Sequence, residues 1–324
     1  MTLYGFNAFI RAGEESTYGT SQTTDISDIR LNSSSLISDQ EKNRKTNLSV
    51  PSSGMLASVY DGFKNSGGSF EIPLQYQGSG MFLKMALGNV ATTTAGSDQV
   101  HTYTPIFDLP SATIQFQRGS NMTNSSEKFL GCKVASMTIS CEAGGEMVAG
   151  FDIIARDSTA RAAKLSAASF VAGDSILHFE SGNLTGGGTL LASSVEIRSF
   201  ELTLDNKLER KNVLGSKKTS EPVISDVREV TMSITADLDD NNVYNDMLNG
   251  NSGTVQIKFT RTALTDHYFE INLNNAIIEG YSDAVTAFGR VERTYTIRGL
   301  ASSTDPGLSI VIRNDESSPI SLNP

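Results

Sequence analysis

Several segments of this sequence alternate between apolar and polar residues and are rich in β-branched and aromatic side chains. Successive residues of a β-strand point to opposite faces of a sheet, so this pattern predicts strands with one buried face. The segments are SFEIPLQY, ATIQFQ, KVASMTIS, VAGFDIIA, SFELTLD, VTMSITAD, TVQIKFT, YFEINLN and RTYTIRG. Only GMFLKMALG and NNVYNDMLNG have the spacing of short helices. We therefore predict a mostly β fold.

The order of these segments is repeated along the chain. Residues 67–89 lead from an alternating segment through a polar turn into a short apolar helix, and residues 228–251 do the same. Upstream, residues 29–45 and 197–211 each run from Ile-Arg through a strand into a charged loop that ends at Arg-Lys. A strand and a pair of strands follow each helix. This repeated order at low identity predicts two complete β modules.

The repetition divides the chain into five parts. Gly- and Ser-rich composition marks the middle segment as a linker or insertion. The parts are an N-terminal arm at 1–28, a first module at 29–160, the linker or insertion at 161–195, a second module at 196–301 and a C-terminal tail at 302–324.

Composition argues against several kinds of partner. The formal net charge of −10 and the pI near 4.9 disfavour attraction to phosphate backbones or anionic membranes. No apolar run approaches the roughly 20 residues of a membrane helix, and the first residues lack the pattern of a signal peptide. We expect no membrane insertion and folding in a cytoplasm.

Cysteine and histidine positions do not predict a metal or redox site. Cys132 and Cys141 lie in one alternating segment, which as an extended strand would hold them roughly 30 Å apart on opposite faces. Two buried thiols are therefore expected instead of a disulfide. The histidines His101, His178 and His267 are far apart in sequence and have no metal-ligand spacing.

Two further motifs are incomplete. Asp237, Asp239 and Asn241 alternate as in a calcium loop, but the required glycine and glutamate are missing, so helix capping is the expected role. The segment LGSKKTS lacks the first glycine of a phosphate-binding loop. We expect no cofactor, no metal and no enzymatic activity.

Basic residues cluster in two loops that hold the same place in the two modules. These loops are either solvated hairpin tips or contacts to an acidic surface of a neighbouring subunit. The residues are Lys42, Arg44 and Lys45 in the first loop and Arg210, Lys211, Lys217 and Lys218 in the second.

The N-terminal arm has one apolar cluster, formed by Leu3, Tyr4, Phe6 and Phe9. The arm is too short to make a core of its own. It is expected to become ordered by docking on its own module or on a neighbouring subunit.

The order of several segments resembles the tail tube (major tail) proteins of long, non-contractile-tailed bacteriophages. The segments are GEESTYGT, SGGSFEIPLQYQGSGMFLKMALGN, SATIQFQRG, KFLGCKVASMTIS, EIRSFELTLDNKLERKNVLGSK and VREVTMSITADLDDNNVYNDMLNGN. The resemblance covers most of the chain, although residues 161–195 match neither module. It implies two tandem β-sandwich or barrel-like modules, each with one short helix, whose inner sheets join those of neighbouring modules. Members with two fused modules form trimeric rings that imitate the hexamers of single-module members.

The resemblance also implies a function and partners. The chain would be a structural virion protein, assembled in the host bacterial cytoplasm, whose stacked rings form the tube that delivers DNA into the host. Its partners would be further copies of itself and the tail terminator, tape measure and tail-tip proteins, while DNA would pass without specific binding. The two basic loops would stack one ring on the next. The alternative is a carbohydrate- or host-binding β-sandwich, but the sequence has no Trp for an aromatic binding platform.

Overall fold

The structure, a computed structural model, describes residues 7–22, 27–44, 59–119, 124–166, 168, 170, 176–183, 190, 197–237, 247–261, 266–282 and 292–319. The first half of the chain contains β1 (Phe9–Glu14), β2 (Ser27–Arg30), β3 (Ser33–Ser34), β4 (Ile37–Arg44), β5 (Val59–Pro73), α1 (Gly80–Leu87), β6 (Gly88–Ala95), β7 (Asp98–Pro105), β8 (Ala112–Gln117), β9 (Ser126–Glu142), β10 (Val148–Ala155) and β11 (Asp157–Ser158). The remainder contains a 3-10 turn (Phe179–Ser181), β12 (Gly182–Asn183), β13 (Ile197–Asp205), β14 (Leu208–Lys211), β15 (Ser220–Ile224), β16 (Glu229–Asp237), β17 (Ser252–Thr260), β18 (Tyr268–Ser282), β19 (Glu292–Gly299) and β20 (Leu308–Asn314). The prediction of a mostly β fold is confirmed.

One antiparallel sheet runs through both halves of the chain, and we call it the long sheet. Its strand order is β3 and β4, β5, β10, the C-terminal half of β9, β13, β16, β19 and the C-terminal half of β18. Four strand positions come from each half, and the two sets follow the same order. The sets meet where β9 pairs with β13, from Ser199 opposite Glu142 to Asp205 opposite Ser136.

Irregularities in pairing fall at corresponding places in the two halves. The pairing of β9 with β10 skips Ala135, and the pairing of β18 with β19 skips Glu279. The pairing of β8 with β9 shifts after Ala112, and that of β17 with β18 shifts after Gly253. A bulge bends a strand at a defined point. The long strands β9 and β18 therefore bend at corresponding positions.

A second layer covers the inner face of the long sheet, because β9 and β18 are long enough to continue into it. In the first half this layer has the order β2, β1, β8, β9 and β11. In the second half it has the order β12, β17, β18 and β20, extended by β7 and β6. The hairpin β6–β7 thus attaches the first half to the second through β20.

Aromatic contacts connect the layers inside one continuous core. Phe82 of α1 packs on the stacked pair Phe70 and Phe151 of the long sheet, with ring centroids 5.5 and 5.7 Å away. In the second half, Phe200 contacts Phe259 at 5.9 Å. Burying one such side chain contributes about 2–3 kcal/mol.

The helix α1 confirms the first predicted helix. It ends because Gly88 has a positive φ of 103°, a conformation that favours glycine. Lys84, its one basic residue, pairs with Glu14 at 2.6 Å. For the second predicted helix, residues 247–249 are helical, while Val243 and Tyr244 lie outside the described residues.

Both cysteines are free and buried, as the sequence predicted. The expectation that they face opposite sides is wrong, since both lie in the same core cluster. The bulge at Ala135 lies between them and shifts the alternation by one residue. Burial raises the pKa of both thiols, so neither Cys132 nor Cys141 is activated as a nucleophile.

Candidate assembly surfaces

The outward face of the long sheet is rich in hydroxyl side chains, and we call it the hydroxyl face. Along each strand, apolar residues such as Phe151 and Leu202 are buried, while their neighbours are half-buried or exposed. The hydroxyl residues of this face are Ser33, Ser69, Ser136, Thr138, Ser140, Ser199, Thr203, Thr231, Ser233, Thr235, Thr294 and Thr296. Part of it forms a depression of about 280 Å³.

Acidic residues are interspersed on the hydroxyl face. They are Glu71, Asp152, Glu201, Asp205 and Asp237. The cations beside these carboxylates are all paired: Arg298 lies 2.5 Å from Glu279, Arg198 3.0 Å from Asp237 and Lys207 2.8 Å from Asp205. This face therefore presents small polar groups and carboxylates, while the positive charges of its cations are balanced.

The carboxylate of Asp205 on this face is held in its charged form. Burial opposes the charge of Asp205, but hydrogen bonds from the side chain and main chain of Lys207 outweigh it and lower the pKa of Asp205. Asp205 therefore keeps its negative charge at neutral pH.

The long sheet has an unpaired edge at each end. Among the described residues, β3 and β4 pair only with β5, and residues 278–282 of β18 pair only with β19. Edge strands carry main-chain donors and acceptors that another strand can satisfy. The joint between β9 and β13 shows how such edges meet inside the chain.

The hairpin formed by β14 and β15, here called the second-half hairpin, lies across the first half. Its main chain accepts a hydrogen bond from Lys64, with N to Lys217 O at 2.8 Å. The ammonium group of Lys217 contacts Asp61 at 2.9 Å, and that of Lys218 contacts Asp157 at 2.6 Å. The predicted loop cations Lys217 and Lys218 therefore connect the two halves within one chain.

Arg210 lies deeper beneath the same hairpin. Its guanidinium donates to Ser66 O at 2.7 Å and to Ala155 O at 3.4 Å. Burial lowers the pKa of Arg210. The adjacent Lys211 is exposed.

Asn206 fixes the point where this hairpin leaves the long sheet. Its side chain is fully buried and donates to Ala86 O at 2.9 Å and to Val134 O at 3.0 Å. The next residue, Lys207, has a positive φ of 50°. The chain therefore bends here, and β14 and β15 form a separate small sheet.

The first basic loop belongs to the hairpin formed by β4 and β5, here called the first-half hairpin. Lys42 contacts Asp61, the carboxylate that Lys217 also contacts. Hydrogen bonds from these two lysines lower the pKa of Asp61 to about 2. Arg44 is exposed at the end of β4, and Lys45 lies outside the described residues.

The structure places part of the N-terminal arm in its own half. Phe9 is buried in β1, which pairs with β8, and the neighbouring Ile10 is fully buried. Leu3, Tyr4 and Phe6 lie outside the described residues.

Sequence patterns did not reveal an apolar groove of about 900 Å³ at the end of the second half. Its lining includes Ile106, Phe107, Val227, Val230 and Gly299. Phe107 and Val227 are 82% and 79% exposed. Their only signal in the sequence is the presence of apolar residues in polar loops, which has no periodicity.

The described part of the chain contains no cluster of three or more metal-ligating side chains. No described helix is both long and apolar enough to cross a membrane.

A layered β protein with two unpaired sheet edges and a polar outer face has the features of a structural assembly protein. The family model for the phage tail tube protein matches residues 5–314, so the chain belongs to the phage tail tube family. The search of curated proteins found no match. The family confirms the resemblance as far as a structural component of a phage tail. The type of tail and the duplication of the module stay predictions.

Proposed function

We propose that this protein polymerises as stacked rings to form the tail tube through which phage DNA reaches the host. The observation that carries the proposal is the long sheet with its two unpaired edges. The edge at β18 of one copy pairs with the edge at β3 and β4 of the next. Each ring thereby closes without leaving a sheet edge exposed.

Three copies form each ring in this proposal, and their six halves give it approximate sixfold symmetry. The matching strand order and the matching bulges support an internal duplication. The internal joint between β9 and β13 then serves as the template for the joints between copies. Fusion of two modules leaves three joints to form between chains.

The hydroxyl face lines the lumen. Its Ser, Thr and carboxylate groups do not neutralise phosphates, so DNA gains no counterion release along the wall. The genome can slide because no basic surface holds it. The same tube meets the tape measure, terminator and tail-tip proteins of the virion, and the chain acts without catalysis.

Lys211 and Lys45 of the basic loops stack one ring on the next. Both hairpins leave the long sheet from the same end, because β4 and β13 run in the same direction through the repeated antiparallel order. Lys211 is exposed on the second-half hairpin and is therefore available to a neighbouring ring. Lys45 holds the corresponding place in the sequence of the first basic loop.

Electron microscopy of the purified full-length chain tests this function. We expect rings or tubes with three protomers per ring around a lumen at least about 20 Å wide, enough for a DNA duplex. Six chains per ring would contradict the duplication but not the tube. Monodisperse particles that bind a host glycan would instead favour the carbohydrate-binding alternative.

A further inference from the structure

The second-half hairpin shows how a hairpin of this fold is seated on the half beside it. It crosses the end of the first half of the long sheet, where Arg210 donates to the main-chain carbonyls of Ser66 and Ala155. Ser66 belongs to β5 and Ala155 ends β10. The seat is therefore built from two adjacent strands, because β5 pairs with β10.

The second half has a corresponding seat, and it is the apolar groove. When the two halves are matched by their strand pairing, Val230 of β16 corresponds to Ser66 of β5. Gly299 of β19 likewise corresponds to Ala155 of β10. Both Val230 and Gly299 line the groove. In the first half the corresponding space is covered by the second-half hairpin. In the second half it is open.

The first half has a corresponding hairpin and arginine. Ile37 of β4 corresponds to Thr203 of β13 through their partners in β5 and β16, and counting seven residues on from each leads to Arg44 and Arg210. Arg44 pairs with Val59 in the long sheet, whereas Arg210 lies in the separate sheet of β14 and β15. Arg44 is exposed, and Ile37, Val59 and Tyr60 of the same hairpin are 62%, 56% and 58% exposed. This hairpin thus presents apolar surface and an arginine at the edge of the long sheet.

We propose that the first-half hairpin of one copy fills the apolar groove of the next copy, with Arg44 donating to the carbonyls of Val230 and Gly299. The inference rests on the proposed ring, because ring closure brings the β4 edge beside the β18 edge. Asp226 lines the groove and complements the charge of Arg44, while Glu229 beside it already pairs with Lys207 at 3.1 Å. Arg44 thereby joins neighbours within a ring instead of stacking rings.

The arginines that already line the groove leave room for Arg44. Arg228 donates to Phe107 O at 3.0 Å, and Arg298 pairs with Glu279. Both are thus directed to partners of their own chain. The apolar lining from Phe107 and Val227 gives the hairpin a surface that the chain itself leaves exposed.

The substitution Arg44→Ala tests the arginine contact in the full-length protein. We expect the concentration needed for ring or tube assembly to rise at least about tenfold, as for a central interface residue. Arg161→Ala is the matched control, because the side chain of Arg161 is 58% exposed and lies outside the groove. Thermal denaturation of the unassembled variants should match the wild type. Assembly of Arg44→Ala at the wild-type concentration would overturn the inference.

A photo-crosslinking amino acid, benzoylphenylalanine, tests the position of the hairpin directly. Placed at Tyr60, it should link one copy to groove residues 224–230 or 298–301 of another, as shown by peptide mapping of mixed isotope-labelled copies. Placed at Phe179, which is 48% exposed and outside the groove, it should give no such link.

The outcomes separate this inference from the proposed function. Wild-type rings without a link from position 60 to the groove would overturn the hairpin's seat and leave the tube intact. A link confined to one chain would also overturn it. Failure of the wild type to form rings would remove both.

Discussion

Arg210 keeps a charge where burial makes charge unfavourable, because two main-chain carbonyls accept its hydrogen bonds. Removing a charged donor leaves both carbonyls without their partner and opens space beneath the hairpin. Its neighbour Lys211 is exposed and free to take many conformations. Two adjacent cations of one loop therefore have different physical roles.

We expect Arg210→Glu to lower the free energy of unfolding by about 2–4 kcal/mol, because it places a carboxylate beside carbonyl oxygens. Lys211→Glu should change it by less than about 0.5 kcal/mol, as is usual for an exposed side chain. Urea denaturation of the two variants measures both values. Equal, small effects would mean that the seat of Arg210 adds nothing to stability.

Arg210 also shows what could not be predicted from the sequence. The charge pattern singled out two basic loops and gave Arg210 and Lys211 the same role. Burial of Arg210 depends on Asn206, where the chain bends and lays the hairpin on the other half. That bend depends on carbonyls of Ala86 and Val134, which are distant in sequence.

At the scale of elements, the described residues after β20 contact the segment that leads into α1 and the strand β7. Gly78 N–H and the side chain of Asn314 donate to the carboxylate of Glu316 at 3.0 and 2.9 Å. His101 Nε2 lies 3.0 Å from the main-chain oxygen of Glu316, and Tyr103 donates to Pro319 O at 3.1 Å. Burial nevertheless raises the pKa of Glu316 to about 7.

The raised pKa gives this segment a pH dependence of known sign. The folded protein binds a proton at Glu316 more tightly than the unfolded chain, so the stabilisation is complete below the unfolded pKa of about 4.5. It is lost as the pH rises through about 7. The shift corresponds to at most about 3 kcal/mol.

We expect Glu316→Gln to remove this pH dependence. The difference in unfolding free energy between wild type and variant should change by about 2–3 kcal/mol between about pH 4 and about pH 8.5, with the wild type losing stability as pH rises. Burial lowers the pKa of His101, which gives a pH dependence of the opposite sign. This contribution is present in both proteins and cancels in the difference between wild type and variant. A difference that is constant with pH would show that Glu316 titrates normally.

Whether the sequence predicted a strand or helix depended on how much of its surface is buried. Alternation located most strands of the long sheet and the apolar run located α1, because those elements bury one face or nearly all of their surface. It did not locate the edge strand β4, which is mostly exposed and falls where the sequence predicted a charged loop. The strand β6 is mostly exposed and has no such alternation. The strand β20 lies in the predicted C-terminal tail, and its partners β7 and β18 come from different halves. Local patterns cannot show such pairing.

At the scale of the whole molecule, the pairing of β9 with β13 inside the chain predicts how the sheet edges of two copies pair. In that joint Thr138 of β9 lies opposite Thr203 of β13. When the two halves are matched at their bulges, Ser282 of β18 corresponds to Thr138 of β9. When they are matched by the pairing of β4 with β5 and of β13 with β16, Ile37 corresponds to Thr203. If the ring repeats the internal joint, Ser282 of one copy lies opposite Ile37 of the next.

The double variant Ile37→Cys with Ser282→Cys tests this register and the number of chains together. Directly opposite residues of an antiparallel pair have Cα atoms about 4.5–5.5 Å apart, within the range that a disulfide bridges. We expect oxidation of assembled protein to give a ladder in denaturing gels that ends at three chains, since a closed trimer has no further joint. The control pairs Ile37→Cys with Tyr281→Cys, because Tyr281 packs against the core and should not reach the neighbouring copy. A ladder that ends at six chains would exclude the trimeric ring, and a ladder without an upper limit would indicate an open filament. Equal disulfide linking in the control variant would exclude the proposed register.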